Sequence, residues 1–323
     1  MHEPDDPDLI DARHPARGAS PSNASARALS RGEVERIRRG IYLPAGREPE
    51  ETPRHLTIER AALRQAVAVG LTRKRPAVFS HRTAAIIHGL PLLGPATGLV
   101  DIVEPPDSAR RSKAGVRVHL AEASDTDVMP WGAHFVTTPR RTALDLARTL
   151  PFAAAVAVLD YAIANGLVDR LAILDDAKSL GPVAGVAAAR RAIEFADPRA
   201  GSPGESASRA LLALLGCPPP ELQVVHRSPL PGIRHFEVDF EWPELARIGE
   251  FDGAGKYLKP EYLKGRSPGE VVVAEKRRED ALRAEGAAVF RWGWPELMQP
   301  HALRRQLIEA GVPVRFAAPR TLF

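Results

Sequence analysis

Three acidic residues, Asp239, Glu250 and Asp252, lie on two short segments that the sequence predicts to pair as a β-hairpin. Residues 235–242 (HFEVDFEW) alternate between apolar and polar side chains, which is typical of a strand with one buried face. Residues 247–252 (RIGEFD) predict the returning strand, so the three carboxylates crowd one face of the hairpin. Like charges that face each other across a sheet cost stability. We therefore expect a cation among them.

The loop of this hairpin decides which residues face each other. Pro243 ends the first strand, because proline has no N–H to donate to a neighbouring strand. With a four-residue loop, Trp242 faces Arg247 and Asp239 faces Glu250. The two carboxylates are then cross-strand neighbours.

Glu205 is a further acidic candidate, and two interpretations of it remain open. Residues 202–205 (SPGE) form a capping box with proline at the first helical position, so Glu205 can simply cap a helix. Residues 267–270 repeat the same four letters where no metal role is suspected, which favours capping. Alternatively, Glu205 joins the hairpin carboxylates in one site.

Carboxylates in this arrangement suit phosphodiester hydrolysis. A divalent ion polarises the phosphoryl oxygen and lowers the pKa of an attacking water. Mg²⁺ takes a few carboxylate oxygens and keeps several waters, so two or three acidic side chains suffice. Asp239 and Glu250 are the predicted metal ligands, with Glu205 completing or orienting the shell, and Mg²⁺ or Mn²⁺ is the predicted cofactor.

The same part of the chain resembles the PD-(D/E)xK nuclease core, in the branch similar to very-short-patch-repair endonucleases. The matching stretches are GESASRALLALLG, VDFEWPE, GEFDGAGKY and EKRREDALRAEGAAVFRW, within about residues 202–295. The resemblance implies a restriction-endonuclease-like mixed sheet flanked by helices, with a function in metal-dependent hydrolysis of DNA. The candidate catalytic residues are Glu205, Asp239, Glu250, Asp252 and Lys256.

One position departs from the family pattern. Asp252 stands where a lysine is expected two residues after Glu250, and that lysine normally helps to position the water and offset charge. Lys256 or Lys276 could supply the cation from elsewhere in the chain. The candidates for contact with the DNA backbone in this region are Lys276, Arg277, Arg278 and Arg291.

The first half of the chain resembles the AbiEi-type antitoxin and transcriptional-regulator family. The stretches RRGIYLP, SHRTAAIIHGLPL, TTPRRTALDLAR and LDYAI carry the resemblance over roughly residues 25–175. It implies a winged-helix DNA-binding unit, a regulatory α/β domain and a cognate toxin protein as a possible partner. Residues 25–43 predict a basic helix that leads into a wing, or else an amphipathic surface helix. Arg36, Arg38 and Arg39 are the candidates for phosphate contact.

The elements predict a mixed α/β (α+β) chain in four parts. These are a mobile leader at 1–24, a partial winged-helix-like unit at 25–50, an AbiEi-like α/β and helical region at 51–197 and an endonuclease-like domain at 198–323. Helices are predicted at residues 53–70, 81–89, 140–150, 152–165, 169–179, 183–195, 205–215, 269–286 and 295–311, and strands at residues 41–43, 100–103, 116–120, 134–137, 222–226, 235–242, 247–252 and 287–292.

Composition narrows the class of protein. The chain has 323 residues, 44% of them hydrophobic, which is enough for two or three globular cores. Its single cysteine, Cys217, excludes an internal disulfide framework and fits a reducing compartment. No apolar run reaches the roughly 20 residues that span a bilayer, so we expect a cytoplasmic protein with no membrane partner.

The net charge and the spacing of the histidines bear on which ligands the chain could bind. The net charge is only +4, but the pI of about 9.4 and the clustered arginines slightly favour a nucleic-acid partner. The histidines at 81, 88, 119 and 134 lack close metal-ligand spacing and are interpreted as core or surface residues rather than a zinc site.

A non-enzymatic regulator, in which the nuclease-like part only binds, remains the alternative to a nuclease. The sequence predicts neither the DNA target nor the oligomeric state.

Overall fold

The structure is a computed structural model that describes residues 1–4, 6, 8–13, 27–46, 54–113, 115–228, 235–253, 278, 280–284 and 286–323. Over these residues the fold is a mixture of helices and three sheets, which confirms the predicted α/β (α+β) class. The chain divides into two compact units, Met1–Leu146 and Ala147–Phe323.

A three-stranded sheet with the order β1-β3-β2 lies in the first unit. Its strands are β1 (Ile10–Asp11), β2 (Val34–Arg38) and β3 (Ile41–Pro44). The predicted basic helix is wrong over β2, because Gly40, at φ +84°, turns the chain back and lets β2 pair antiparallel with β3. β1 pairs with β3, so this part of the predicted mobile leader belongs to the sheet.

A five-stranded mixed sheet with the order β6-β5-β4-β8-β7 forms the rest of the first unit. Its strands are β4 (Val78–Phe79), β5 (Val100–Glu104), β6 (Val116–Leu120), β7 (Val128–Trp131) and β8 (His134–Thr137). The helices are α1 (Arg54–Thr72), α2 (His81–His88) and α3 (Pro139–Thr149), the last of which extends past Leu146. Phe79, Ile87, Ile102 and Trp131 are almost fully buried in the core between these elements.

Of the histidines at 81, 88, 119 and 134, His81 is buried and the other three are half-buried. The His81 side chain is buried at the start of α2, and its backbone has a φ of +47°. Its ring stacks on that of His119 with 3.6 Å between centroids. His119 Nε2 lies 2.8 Å from Oδ1 of the fully buried Asp101, and Arg117 also binds that carboxylate.

The second unit combines helices with a four-stranded sheet of order β12-β11-β10-β9. The strands are β9 (Glu221–Arg227), β10 (His235–Trp242), β11 (Arg247–Asp252) and β12 (Ala288–Gly293), and only β12 runs parallel to its neighbour. The helices are α4 (Phe152–Ala164), α5 (Arg170–Ser179), α6 (Val186–Phe195), α7 (Pro203–Leu214), α8 (Trp294–Met298) and α9 (Pro300–Glu309). The predicted closing helix is thus interrupted at Gln299.

The helices α4–α6 belong to the same compact unit as the four-stranded sheet, so the division of the chain precedes the boundary predicted at residue 198. One contact that joins these helices to the rest of the unit is a buried ion pair between α4 and α7. Arg209 of α7 binds both carboxylate oxygens of Asp160 of α4, at 3.1 and 3.0 Å. Both side chains are at least nine-tenths buried, so the two helices share one core.

Candidate metal and nucleic-acid site

Four polar side chains lie in one row across the second unit's sheet. The hairpin pairs Trp242 with Arg247, which confirms the predicted register. Continued by one residue beyond Phe240 and Gly249, that register places Asp239 opposite Glu250. The neighbouring strands extend the row at both ends, which gives the order Gln223, Asp239, Glu250, Arg291.

Helix α7 brings Glu205 to this row. Ser202 caps the helix by accepting a hydrogen bond from the Glu205 N–H at 3.2 Å, as the sequence predicted. The Glu205 carboxylate accepts in turn from the Gly201 N–H and from the Ser202 hydroxyl, both at 2.8 Å. It is 4% exposed and also accepts from Gln223 Nε2 at 2.7 Å. Glu205 therefore caps the helix and also contacts Gln223 of the row.

Gln223 links two of the carboxylates. Its amide nitrogen lies 2.7 Å from Glu205 Oε2 and 3.5 Å from Asp239 Oδ1. Its backbone has a φ of +51° inside strand β9, a conformation that is uncommon for a residue with a side chain. Strain of this kind persists where the surrounding structure fixes it and is frequent at functional sites. Sequence reasoning missed Gln223, because its side chain carries no charge and it lies in an otherwise ordinary strand.

Asp239 is held from the side opposite Gln223. Its Oδ2 accepts a hydrogen bond from the Phe251 N–H at 2.8 Å, so the carboxylate takes a backbone donor of the adjacent strand. Its Oδ1 faces the longer 3.5 Å contact with Gln223. The Asp239 carboxylate is thus fixed in direction, while one of its oxygens is the less strongly bonded of the two.

Glu250 lies between two arginines. Arg278 Nη2 is 2.6 Å from its Oε1, and Arg291 Nη2 is 2.9 Å from its Oε2. The expected cation among the carboxylates is therefore present as two guanidinium groups. Burial raises the pKa of Glu250 and Asp239 adds to this rise, while the two arginines act against it. The arginines thus stabilise a charge that the buried position disfavours.

The donor chemistry of this row fits a hard divalent ion, because carboxylate and amide oxygens are the ligands that Mg²⁺ and Mn²⁺ accept. Within the described residues, however, no three acidic, histidine or cysteine side chains converge into a ready-made metal cage. Both oxygens of Glu250 face guanidinium groups instead. A metal ion at Asp239 and Glu250 therefore requires the arginines to shift.

Asp252 is not part of this row. Asp252 is half-buried at the end of β11, opposite Gly293 rather than a charged residue. Lys256, Lys276 and Arg277 lie outside the described residues. On the hairpin β2–β3 of the first unit, Arg36 and Arg39 are exposed, whereas Arg38 Nε is 3.1 Å from the Thr72 hydroxyl.

Gly204 allows α7 to approach the acidic strand. A Cβ at this position would lie 2.0 Å from a ring carbon of Phe251, which is itself buried. We expect Gly204→Ala to destabilise the second unit by about 1–3 kcal/mol through overpacking, although alanine is intrinsically the better helix former by about 1 kcal/mol. Urea unfolding measures the change.

Gly253→Ala is the matched control for this prediction. Its added Cβ would lie 3.6 Å from the same Phe251 ring, which is an ordinary contact distance. If Gly204→Ala proved as stable as Gly253→Ala, α7 would not depend on the close approach to β11.

No family model matches this chain. It is similar to an uncharacterized protein of Mycobacterium tuberculosis, found in the strains CDC 1551 / Oshkosh and ATCC 25618 / H37Rv. In each case the two are 28% identical over 233 residues, which cover 72% of this chain and 78% of the relative. This similarity assigns no chemistry to the row.

Membrane spans require long apolar helices. Among the described residues, no helix combines the length and the apolar character that crossing a bilayer requires.

Proposed function

We propose that the second unit binds a divalent metal ion and hydrolyses DNA phosphodiesters. The observation that carries this proposal is the row itself: α7 and three strands bring Glu205, Asp239 and Glu250 together, with Gln223 between the first two carboxylates. These residues are separated by up to 45 positions in the sequence, from Glu205 to Glu250. Buried like charges are costly to gather, and such clusters are frequent at catalytic sites.

The roles follow from the contacts. Asp239 and Glu250 would hold the ion, which would supply Lewis-acid activation of the phosphoryl group and of a water. Glu205 and Gln223 orient Asp239, because the Gln223 amide lies between the two carboxylates. Without the ion, Arg291 offsets the charge of Glu250 in place of the missing lysine, since it reaches Glu250 from the next strand at 2.9 Å. Arg278 and Arg291 then bind phosphate oxygens, for which guanidinium groups are well suited.

A cleavage assay tests this proposal. Purified protein with Mg²⁺ or Mn²⁺ is incubated with supercoiled, linear and single-stranded DNA, and Asp239→Asn is expected to lower the cleavage rate by about 100-fold or more, because it removes a ligand charge that stabilises the transition state. Glu237→Gln is the matched control, since Glu237 is exposed on the same strand. Absence of cleavage of every DNA form by the wild type would overturn the catalytic proposal.

The second candidate is a non-enzymatic AbiEi-like antitoxin or transcriptional regulator, and two exposed arginines of the hairpin β2–β3 favour it. Arg36 and Arg39 project from this hairpin on the surface of the first unit, where a DNA backbone could be contacted electrostatically. Promoter-fragment binding that persists in chelator and in Asp239→Asn would support this function.

A cytoplasmic location and a cognate toxin as partner belong to the same proposal. Co-purification with a neighbouring gene product would test the partner.

A further inference from the structure

Glu250 is buried and neutralised by arginines rather than left open to a ligand. Its residue is 7% exposed, and both of its oxygens lie within 2.9 Å of a guanidinium nitrogen. Within the described residues Oε1 accepts no hydrogen bond of good geometry, although Arg278 Nη2 is 2.6 Å away. The Arg278 contact to Oε1 is thus an ion pair rather than a well-formed hydrogen bond.

The formal charges of the row allow the two arginines to be compared with one divalent ion. Glu205, Asp239 and Glu250 together carry three negative charges when ionised, and Arg278 and Arg291 return two. One divalent ion in place of the two arginines leaves the same net charge. Two guanidinium groups and one divalent ion are therefore electrostatic equivalents at this site, and they compete for the same Glu250 oxygens.

The two arginines have an alternative partner in the proposed substrate. A phosphodiester oxygen offers guanidinium groups a charge-assisted hydrogen bond comparable to that of a carboxylate. Their side chains are 18% and 28% exposed, against 9% for the Glu250 side chain, so the arginines are the more accessible partners of this contact. A phosphate group can approach them from solvent, and at Arg278 it would also replace the hydrogen bond that Nη2 donates to the Glu237 carbonyl.

We propose that Arg278 and Arg291 act as a gate on metal binding: they hold Glu250 until DNA phosphates displace them, so that the metal ion and DNA bind cooperatively. This inference rests on the proposed nuclease function and adds its regulation. The structural basis is the competition of two guanidinium groups and one divalent ion for the two Glu250 oxygens. Because coupling between two ligands is reciprocal, DNA raises the metal affinity by the same factor as metal raises the DNA affinity.

Isothermal titration calorimetry of the full chain tests the gate. Mn²⁺ is titrated into the wild type, Arg278→Gln and Arg291→Gln without DNA, and each variant is expected to bind Mn²⁺ about tenfold more tightly than the wild type. Arg278→Lys keeps the positive charge but loses the paired N–H donors of the guanidinium group, so it should raise the Mn²⁺ affinity by a smaller factor. Arg283→Gln removes a charge from the same segment at an exposed position and should change nothing.

A second titration uses Ca²⁺ with and without a short duplex DNA, so that binding is read without metal-supported cleavage. The wild type should bind Ca²⁺ about tenfold more tightly with DNA, and Arg278→Gln/Arg291→Gln should not respond. Circular dichroism of each variant verifies that the fold is retained.

The outcomes separate the gate from the proposed function. If the wild type binds the ion but the arginine variants bind it no more tightly, the gate is wrong and the nuclease proposal stands. If neither the wild type nor any variant binds a divalent ion with or without DNA, the nuclease proposal itself fails.

Discussion

Acidification is expected to destabilise the first unit through His81 alone, by about 2 kcal/mol at pH 5 and about 4 kcal/mol at pH 3. Burial, followed by the facing ring of His119, lowers the pKa of His81 to about 3 from an ordinary value of 6.5. Arg117 and Arg141 act in the same direction, while Asp101 opposes them. The protonated imidazole is therefore disfavoured in the folded chain.

The direction of this pH effect on stability follows from the number of protons that the folded and unfolded chains bind. Between about pH 6.5 and pH 3 the unfolded chain binds a proton at His81 that the folded chain does not. The folded state is favoured fully above this window and loses stability as the pH falls through it. Burial also lowers the pKa of His88 and His134, so these two residues add in the same direction.

Hydrogen exchange read by mass spectrometry at pH 7.5 and pH 5 measures this effect, because its peptides report the two compact units separately. Asn is the replacement of choice for His81, since it does not titrate and tolerates the positive φ of +47°. His81→Asn should reduce the pH dependence of the first unit, whereas the exposed His301→Asn should leave it unchanged. Equal protection of β4–β6 at both pH values, after correction for the intrinsic exchange rate, would contradict the prediction.

Local patterns in the sequence were sufficient to predict the acidic hairpin. The alternation in HFEVDFEW and the stop at Pro243 define the strand and its loop, so the pairing of Trp242 with Arg247 could be predicted. The Ser202 cap of α7 followed in the same way from residue types at fixed spacing. Each of these features depends on residues close together in the chain.

The parts that depend on distant contacts could not be predicted. The position of Gln223 between two carboxylates requires the strained backbone of β9 and the approach of α7, neither of which leaves a local pattern. The contact of Glu250 with Arg278 joins residues 28 positions apart. The strand β2 was mistaken for a helix, because its pairing with β3 outweighs the local preference of a short charged segment.

Arg209→Met is expected to destabilise the second unit by about 3–5 kcal/mol, because it leaves the Asp160 carboxylate buried without its cation. Asp160 is 1% exposed; burial raises its pKa and Arg209 acts against that rise. The guanidinium also donates to the Phe195 carbonyl at 2.8 Å and lies over the Phe195 ring. One side chain therefore connects α4, α6 and α7.

The matched control for this prediction is the double variant Asp160→Leu/Arg209→Met, measured by urea unfolding beside the single variant. Replacing a buried ion pair by apolar residues of similar volume is often neutral, so the double variant should regain most of the lost stability. A double variant as unstable as Arg209→Met would show that packing against Phe195, or the hydrogen bond that the Asp197 N–H donates to Asp160 Oδ1 at 2.7 Å, holds the helices rather than the charge. Since α7 also carries Glu205 to the row, Arg209→Met is further expected to weaken divalent-ion binding, and the double variant should restore it.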